Sequence, residues 1–249
     1  MWLQYALSLH WTQRYEQAIE AYMKADELGV NPPTTRYNLA CAYSLLGRND
    51  RAFEWLGRSI EAGFSNVSYM RNDSDLANLR VDSRFPEYLR RVEQAAAPCE
   101  FDPNCRQLDF WLGLWDVFDP QGNQIGVNRI SKALKGCLII EEWRSIYGIE
   151  GKSIKYYDPG PGKWQENWVS ESGSVTHYTG ELREGAMHFI GETHNANGTV
   201  MKSRSNISPL PDGKVHHLIE QSFDDGRTWT VFFDGTYVPR REELSQNGN

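Results

Sequence analysis

The residue types best suited to acid–base chemistry lie together in one stretch of the sequence, residues 152–170. Two alternating runs flank the turn DPGPGK, and Tyr157 and Trp164 would face each other across it. Strand alternation then places Lys155 opposite Glu166 on the same face. An ammonium group beside a carboxylate can move protons to and from a substrate, and a tyrosine phenol can donate one. Lys155, Glu166 and Tyr157 are therefore candidate catalytic residues.

The same face is also suited to holding a small molecule, because ligand pockets combine aromatic walls with a few charged groups. The preceding strand adds Glu141 and Trp143 in the same phase. Residues of later strands could also point inward, namely His177, Arg204, His216 and Glu220. Arg204 is the expected partner of an acidic ligand, since a guanidinium group binds a carboxylate bidentately. The candidate ligand-binding residues are Glu141, Trp143, Ser153, Lys155, Tyr157, Trp164, Glu166, Trp168, His177, Arg204 and Glu220.

A structural interpretation of this face stays open beside the other two. Aromatic residues at alternating positions often only pack a sheet, and a lysine–glutamate pair across two strands often faces solvent. Under that interpretation, this half of the chain would be a structural or protein-interaction module without a ligand.

The elements that would position this face begin at Leu108. Nine turn signals, from DPQGN to DDG, separate short alternating runs without a helical pattern between them. Such runs are typical of antiparallel hairpins, and ten strands in sequence are expected to close because closure removes exposed edges. The sequence therefore predicts an up-and-down β-barrel over residues 108–240, wide enough for a ligand. A two-sheet sandwich is the alternative. The predicted strands are 112–119, 123–133, 137–147, 152–158, 163–170, 174–181, 186–193, 199–208, 214–222 and 228–237.

Residues 1–95 instead repeat with a helical period. The segments WLQYALSLHWTQRYEQAIEAYMKADELG and RYNLACAYSLLGRNDRAFEWLGRSIEAG align at an offset of 34 residues, so that Ala18 matches Ala52 and Tyr22 matches Leu56. This period, with small residues where paired helices touch, resembles the tetratricopeptide repeat. The stretch SDLANLRVDSRFPEYLRRVEQ resembles the helical cap of such arrays. The resemblance implies a surface for a protein or peptide partner, with a plain helical scaffold as the alternative.

The remaining segments are predicted to connect or follow the two domains. AAAPCEFDPNCRQ lacks periodicity and is expected to be a linker over 96–107, and 241–249 is expected to be a disordered tail. Two repeats with a cap are few for a stable array, since each repeat buries its apolar face against its neighbours. We therefore expect either further repeats upstream or support from a neighbour.

The amino-acid composition and the first residues limit the kinds of partner and the cellular compartment that are expected. The 249 residues include 26 lysines and arginines against 33 aspartates and glutamates, a formal charge of −7, so a nucleic-acid partner is not expected. No apolar run is long enough to span a membrane. The start MWLQYALSLHWTQRYEQA lacks a signal-peptide pattern, so the chain as given is expected to be cytoplasmic. It would be periplasmic or exported if a signal segment precedes it.

The cysteines and histidines do not form a metal-binding motif. The four cysteines contain no CxxC pair, and the six histidines contain no HxH or HExxH, so no metal is predicted. No glycine-rich phosphate loop occurs either, and no cofactor is predicted. In an oxidising compartment Cys99 could pair with Cys105 or Cys137, whereas in the cytosol all four cysteines would be thiols.

Two resemblances concern the second half of the chain. Ser222 to Trp229 fit S-x-D-x-G-x-T-W and resemble an Asp-box hairpin, a structural motif. The segments FWLGLWDVFDPQGNQIG, KGCLIIEEW and GKSIKYYDPGPGKWQENWV resemble a bacterial family of uncharacterised barrel domains of the DUF1579 type. That family is similar to calycins, and the Gly113-Leu-Trp115 sequence resembles the lipocalin G-x-W. The resemblance implies a pocket but no reaction. The family often has a small amide at the two positions occupied here by Lys155 and Glu166, which implies an unusual internal ion pair and a different ligand.

The sequence thus predicts a two-domain α + β protein, with tetratricopeptide-type hairpins followed by a calycin-like antiparallel barrel of about ten strands. We expect the barrel to bind a small, partly apolar ligand that can be acidic, and the repeats to dock a partner. The alternatives are an isomerase, cyclase or lyase that uses the Lys155–Glu166 pair, and a structural or interaction module.

Overall fold

The computed structural model describes residues 1–240, which form two compact units. The first unit spans Met1–Pro98 and the second begins at Cys99. The predicted tail, 241–249, lies outside the described residues. Within residues 1–240, no helix combines the length and the apolar character that crossing a bilayer requires.

The helices of the first unit follow the predicted repeat. They are α1 (Trp2–Trp11), α2 (Tyr15–Glu27), α3 (Pro32–Leu45), α4 (Asn49–Glu61), α5 (Val67–Asn72), α6 (Ala77–Arg80) and α7 (Phe85–Ala96). Two helical hairpins, α1–α2 and α3–α4, are followed by the helices of the cap, α5–α7. Ala18, Ala40 and Ala52 are fully buried where helices meet, because a methyl side chain lets two helix backbones approach closely.

The turns that follow the helices repeat with the same spacing. Gly29 and Gly63 follow α2 and α4 with left-handed φ values of 65° and 103°. Gln13 and Gly47 follow α1 and α3 with φ values of 59° and 70°. Left-handed backbone is open mainly to glycine, so three of these four positions carry the residue that the turn requires. The 34-residue period of the sequence therefore corresponds to the spacing between the C-terminal ends of equivalent helices.

The second unit contains a closed antiparallel barrel of ten strands, so the predicted fold class is confirmed. The strands are β1 (Gly113–Phe118), β2 (Gln124–Ala133), β3 (Leu138–Ser145), β4 (Glu150–Asp158), β5 (Lys163–Ser170), β6 (Val175–Arg183), β7 (Ala186–His194), β8 (Val200–Pro209), β9 (Val215–Ser222) and β10 (Thr230–Pro239). Each strand pairs with its neighbours in sequence, and β1 pairs with β10 to close the barrel. Closure excludes the sandwich alternative and removes exposed edges.

The two ends of the barrel lumen differ in their side chains. A 3-10 segment, Asp109–Trp111, precedes β1, and Trp111 is fully buried in the apolar cluster at one end. Trp115 donates its indole N–H to the Trp111 carbonyl oxygen at 2.9 Å. We define this end, the floor, by Leu108, Trp111, Trp115, Trp164, Phe189 and Tyr237. The opposite end, the mouth, is defined by Gly126, Trp143, Gly151, Trp168, Thr176, Thr193 and Phe233.

The Asp-box sequence forms the turn between β9 and β10. Asp224 accepts hydrogen bonds from the backbone N–H of Thr228 at 2.8 Å and from its hydroxyl at 2.7 Å. These bonds hold the pKa of Asp224 down at about 2. Trp229 donates its indole N–H to the carbonyl oxygen of Gly226. The motif shapes a hairpin, which is the structural role predicted for it.

A disulfide links Cys99 to Cys137, one of the two pairings that the sequence left open. The Cα atoms are 5.0 Å apart, and the cysteines are separated by 38 residues. The bridge joins helix α8 (Pro98–Phe101), which lies in the predicted linker, to the segment that begins β3. Cys41 and Cys105 are buried thiols.

Reducing the disulfide is expected to lower the free energy of unfolding of the second unit by about 4 kcal/mol, because opening a loop of this length returns chain entropy to the unfolded state. Chemical denaturation with and without reductant measures the change. A variant with Cys99→Ser and Cys137→Ser should match the reduced protein, and Cys105→Ser should retain the response to reductant. Equal stability of the oxidised and reduced protein would contradict the prediction.

Candidate functional site

The predicted hairpin has the register that strand alternation indicated. Lys155 pairs with Glu166, and Ser153 lies between Glu141 on β3 and Trp168 on β5. Lys155, Glu141, Glu166 and Ser153 are each at most 5% exposed. These four side chains and that of Trp168 lie on the inner face of the barrel. The interpretation in which the lysine–glutamate pair faces solvent is therefore wrong.

Glu141, Lys155 and Glu166 form a buried set that we name the ion cluster. The Lys155 Nζ lies 2.6 Å from Oε2 of Glu141 and 2.9 Å from Oε1 of Glu166. Asn128 and Ser153 donate further hydrogen bonds to Glu141, at 2.7 and 2.8 Å. Charges without exposed surface need such partners, because nothing else offsets the loss of their hydration.

The two glutamates of the ion cluster differ in their proton affinity. Burial raises the pKa of Glu166, and the Lys155 ammonium offsets only part of that effect. Burial acts on Glu141 in the same direction, but the Lys155 charge and the hydrogen bonds from Lys155 and Asn128 outweigh it, so the pKa of Glu141 is lowered. Burial alone would lower the pKa of Lys155, yet the two carboxylates raise it. The cluster therefore holds a charged Lys155–Glu141 pair beside a carboxyl group that takes up a proton more readily.

Trp111 and His217 complete the layer around the ion cluster, and sequence reasoning gave neither a role there. Lys155 Nζ lies 4.7 Å from the centre of a Trp111 ring, within cation–π range. His217 shares a hydrogen bond of 2.8 Å with the Ser205 hydroxyl. Trp111 precedes the first strand, so alternation could not place it. The expectation that the adjacent His216 points inward is wrong: His217 is buried, while His216 lies half-exposed beside Asp234.

The tryptophans at the mouth lie against the barrel wall. A Cβ atom added to Gly126 would come within 2.5 Å of the Trp143 ring, and one added to Gly151 within 2.2 Å of the Trp168 ring. Each ring thus lies against the wall, over a glycine of the neighbouring strand. Both tryptophans remain half-buried. The paired glycines are the sequence signal that could have placed these rings.

Tyr157 and Trp164 belong to the floor end. Trp164 is 2% exposed and donates its indole N–H to Oε1 of Gln107 at 3.0 Å. Tyr157 packs edge to face against Trp164, with ring centres 6.3 Å apart. Of the three candidate catalytic residues, the structure brings Lys155 and Glu166 into contact, while the Tyr157 ring packs on the floor.

Three predicted site residues lie on the outer face. His177 is exposed, and Arg204 forms hydrogen bonds of 2.6 and 2.9 Å with Glu220 while its guanidinium lies 4.3 Å from the centre of a Trp229 ring. The expectation that His177, Arg204 and Glu220 point inward is wrong. A shift of one residue in phase reverses the face of a strand, and on β6 the inward position is that of Tyr178, next to His177.

A groove on the outer surface of β6–β9 competes with the lumen as a candidate site. Its volume is about 510 Å³, and Arg204 and Glu220 lie in its wall. The cations in its wall are already paired: Arg204 contacts Glu220, while Lys163 and Arg183 both contact Glu181. An acidic ligand would have to compete with these carboxylates. The lumen offers aromatic faces and small polar side chains instead, and we therefore place the candidate site at the mouth.

Comparison with known proteins identifies the repeats of the first unit. The tetratricopeptide repeat family matches residues 1–28 and 33–62. These ranges contain the hairpins α1–α2 and α3–α4, so the N-terminal unit contains tetratricopeptide repeats, which suggests interaction with a protein. No curated protein sequence matches the chain.

Replacing Lys155 by methionine is expected to destabilise the barrel by about 3–5 kcal/mol, because it leaves the Glu141 carboxylate buried without its counter-charge. Methionine keeps much of the side-chain volume. Denaturant unfolding measures the loss. Lys152→Met is the matched control, since Lys152 faces solvent and pairs with the exposed Glu142; it should have little effect. Similar losses in the two variants would argue against a stabilising ion cluster.

Acid is expected to destabilise the barrel through His217. Burial lowers the pKa of His217 from 6.5 to about 4, so between these values the unfolded chain binds more protons than the folded one. Stability should therefore fall by about 3 kcal/mol as the pH drops through this window. In His217→Gln, which does not titrate, the slope of unfolding free energy against pH should flatten. If His217→Gln has the same slope of unfolding free energy against pH as the wild type, the prediction is contradicted.

Proposed function

We propose that the barrel binds a small, partly apolar ligand in the mouth half of its lumen, and that the tetratricopeptide repeats dock a protein partner. Two half-buried tryptophans, Trp143 and Trp168, carry the first proposal. Their rings lie over Gly126 and Gly151 at the mouth, so they form part of the wall at that end of the barrel. Both rings keep some accessible surface, whereas Trp111 and Trp164 at the floor are buried. A ligand that enters the mouth would therefore contact these two rings.

The side chains of the mouth indicate the chemistry of the ligand. Trp143 and Trp168 offer aromatic faces, which suit a flat apolar body. The hydroxyls of Thr176 and Thr193 lie 2.8 Å apart and can each form a hydrogen bond with a polar substituent. The ligand that fits this lining is a small aromatic or polycyclic molecule with a few polar groups.

The charges of the barrel favour a neutral ligand over the acidic one that the sequence allowed. Lys155 already contacts two carboxylates, and its side chain has no exposed surface. Arg204 lies on the outer face and pairs with Glu220. An acidic ligand would therefore have to displace a carboxylate from Lys155. Lys155 is held by Glu141 and Glu166 and has no exposed surface, so an enzyme that uses Lys155 and Glu166 is the second candidate function.

The resemblance of the barrel, the net charge and the disulfide are consistent with this proposal and extend it to the partners and the compartment of the protein. A binding role fits the resemblance to DUF1579-type and calycin-like barrels, and the charge of −7 fits a partner other than nucleic acid. The Cys99–Cys137 disulfide favours an oxidising compartment, such as the periplasm or the exterior of the cell.

Titration with N-phenyl-1-naphthylamine, a neutral aromatic probe whose fluorescence rises in apolar surroundings, tests the binding role. We expect saturable binding of one probe per chain. Trp143→Ala and Trp168→Ala should each weaken it about tenfold, because each removes an aromatic wall. Trp11→Ala is the matched control, since Trp11 is 85% exposed on α1, and this variant should bind as the wild type does.

A second probe separates the ligand classes. The anionic 1-anilinonaphthalene-8-sulfonate should bind more weakly than the neutral probe if the ion cluster offers no free cation. Tighter binding of the anion would support the acidic ligand instead. Binding that is not saturable for either probe, or that both tryptophan variants leave unchanged, would contradict a site at the mouth.

A further inference from the structure

A second group of reactive side chains lies within the helical unit. Cys41 of α3 and two aspartates of the cap, Asp73 and Asp75, place one donor atom each within 4.8 Å of one another. The Sγ of Cys41 lies 3.6 Å from Oδ2 of Asp73. From α1, His10 brings its Nε2 to 2.9 Å from Oδ2 of Asp75. One thiol and two carboxylates thus meet in one place, and an imidazole from a third part of the chain contacts one of the carboxylates.

We propose that His10, Cys41, Asp73 and Asp75 form a zinc site. One sulfur, one nitrogen and two oxygens are donors that Zn²⁺ accepts in tetrahedral geometry, at bond lengths of about 2.0–2.3 Å. Donor atoms around such an ion lie about 3.3–3.8 Å apart. The donors of Cys41, Asp73 and Asp75 lie within 4.8 Å of one another, so they would draw closer around the ion, and His10 would join them from its contact with Asp75. Four protein ligands leave no position for a substrate, which is typical of a structural site.

The charge of the group also fits a cation. Within residues 1–240, the ion-pair partner of Asp75 is the His10 ring, and Asp73 has no ion-pair partner. Asp73 instead accepts hydrogen bonds from the Tyr37 hydroxyl at 2.8 Å and from the backbone N–H of Asp75 at 3.0 Å. Both donors can stay in place when an oxygen of Asp73 binds a metal, and they would orient its carboxylate.

The position of the group explains what the ion would do. His10 lies in the first repeat, Cys41 in the second, and the aspartates in the cap, so one ion would tie the three parts together. His10 and Asp75 are 65 residues apart, and Cys41 and Asp73 are 32 apart. Small domains with a limited apolar core are commonly stabilised by a structural metal. The side chains of His10 and Asp75 are 15% and 33% exposed, which leaves a path for the ion.

Cobalt and zinc titrations of the full-length chain, without an affinity tag and after dialysis against a chelator, test the proposal. We expect one Co²⁺ per chain, with the near-ultraviolet charge-transfer band of a cobalt–thiolate bond and displacement by Zn²⁺. Cys41→Ser should lose that band and bind Zn²⁺ about 100-fold more weakly. Cys105→Ser is the matched control, because Cys105 is the other buried free thiol, and it should keep the band and the affinity.

Two milder variants keep the test informative if Cys41→Ser is poorly folded. His10→Gln and Asp75→Asn change partly exposed side chains, and each should weaken Zn²⁺ binding about tenfold or more while the metal-free protein keeps its helical circular dichroism. Lack of stoichiometric Co²⁺ binding would overturn the proposal. A thiolate band that persists in Cys41→Ser, or Zn²⁺ affinity unchanged in both milder variants, would also overturn it.

Discussion

The contact between Lys155 and Glu141 is the constraint on which the arrangement of the barrel interior depends. An ammonium group without exposed surface is tolerated only where a carboxylate neutralises it, and here Glu141 does so at 2.6 Å with Glu166 on the other side. These partners come from β3 and β5, so the cluster fixes the phase of three strands. A slip of one residue in β4 would turn Lys155 outward and bring Ile154, now 42% exposed, into the lumen.

The ion cluster also separates two environments. Towards the floor, Trp111 covers Lys155 with a ring face, and large apolar side chains close the barrel. Towards the mouth, Trp143 and Trp168 lie along the wall over glycines and stay half-buried. A ligand at the mouth would therefore contact these rings, with the buried ion cluster beneath it. The ion cluster would then hold strands β3, β4 and β5 in register, and the rings of Trp143 and Trp168 would contact the ligand.

Sequence periodicity predicted the elements well and the site in part. The repeats were predictable because glycine and alanine recur every 34 residues, and the hairpin of residues 152–170 because its turn fixes which residues face each other. His177 and Arg204 were misplaced because no comparable pairing fixed the phase of β6 or β8. Trp111 lies outside any strand, and the pKa values and burial of the ion cluster arise from packing across the barrel. The donors of the zinc site are too far apart in sequence for any motif to join them.

The division of the lumen can be observed directly through the indole N–H resonances of ¹⁵N-labelled tryptophan. Adding N-phenyl-1-naphthylamine to the full-length protein should shift the resonances of Trp143 and Trp168 and leave those of Trp111 and Trp164 in place. That pattern would locate the ligand at the mouth, above an intact ion cluster. Shifts centred on Trp111 and Trp164, or no shift at Trp143 and Trp168, would contradict the account.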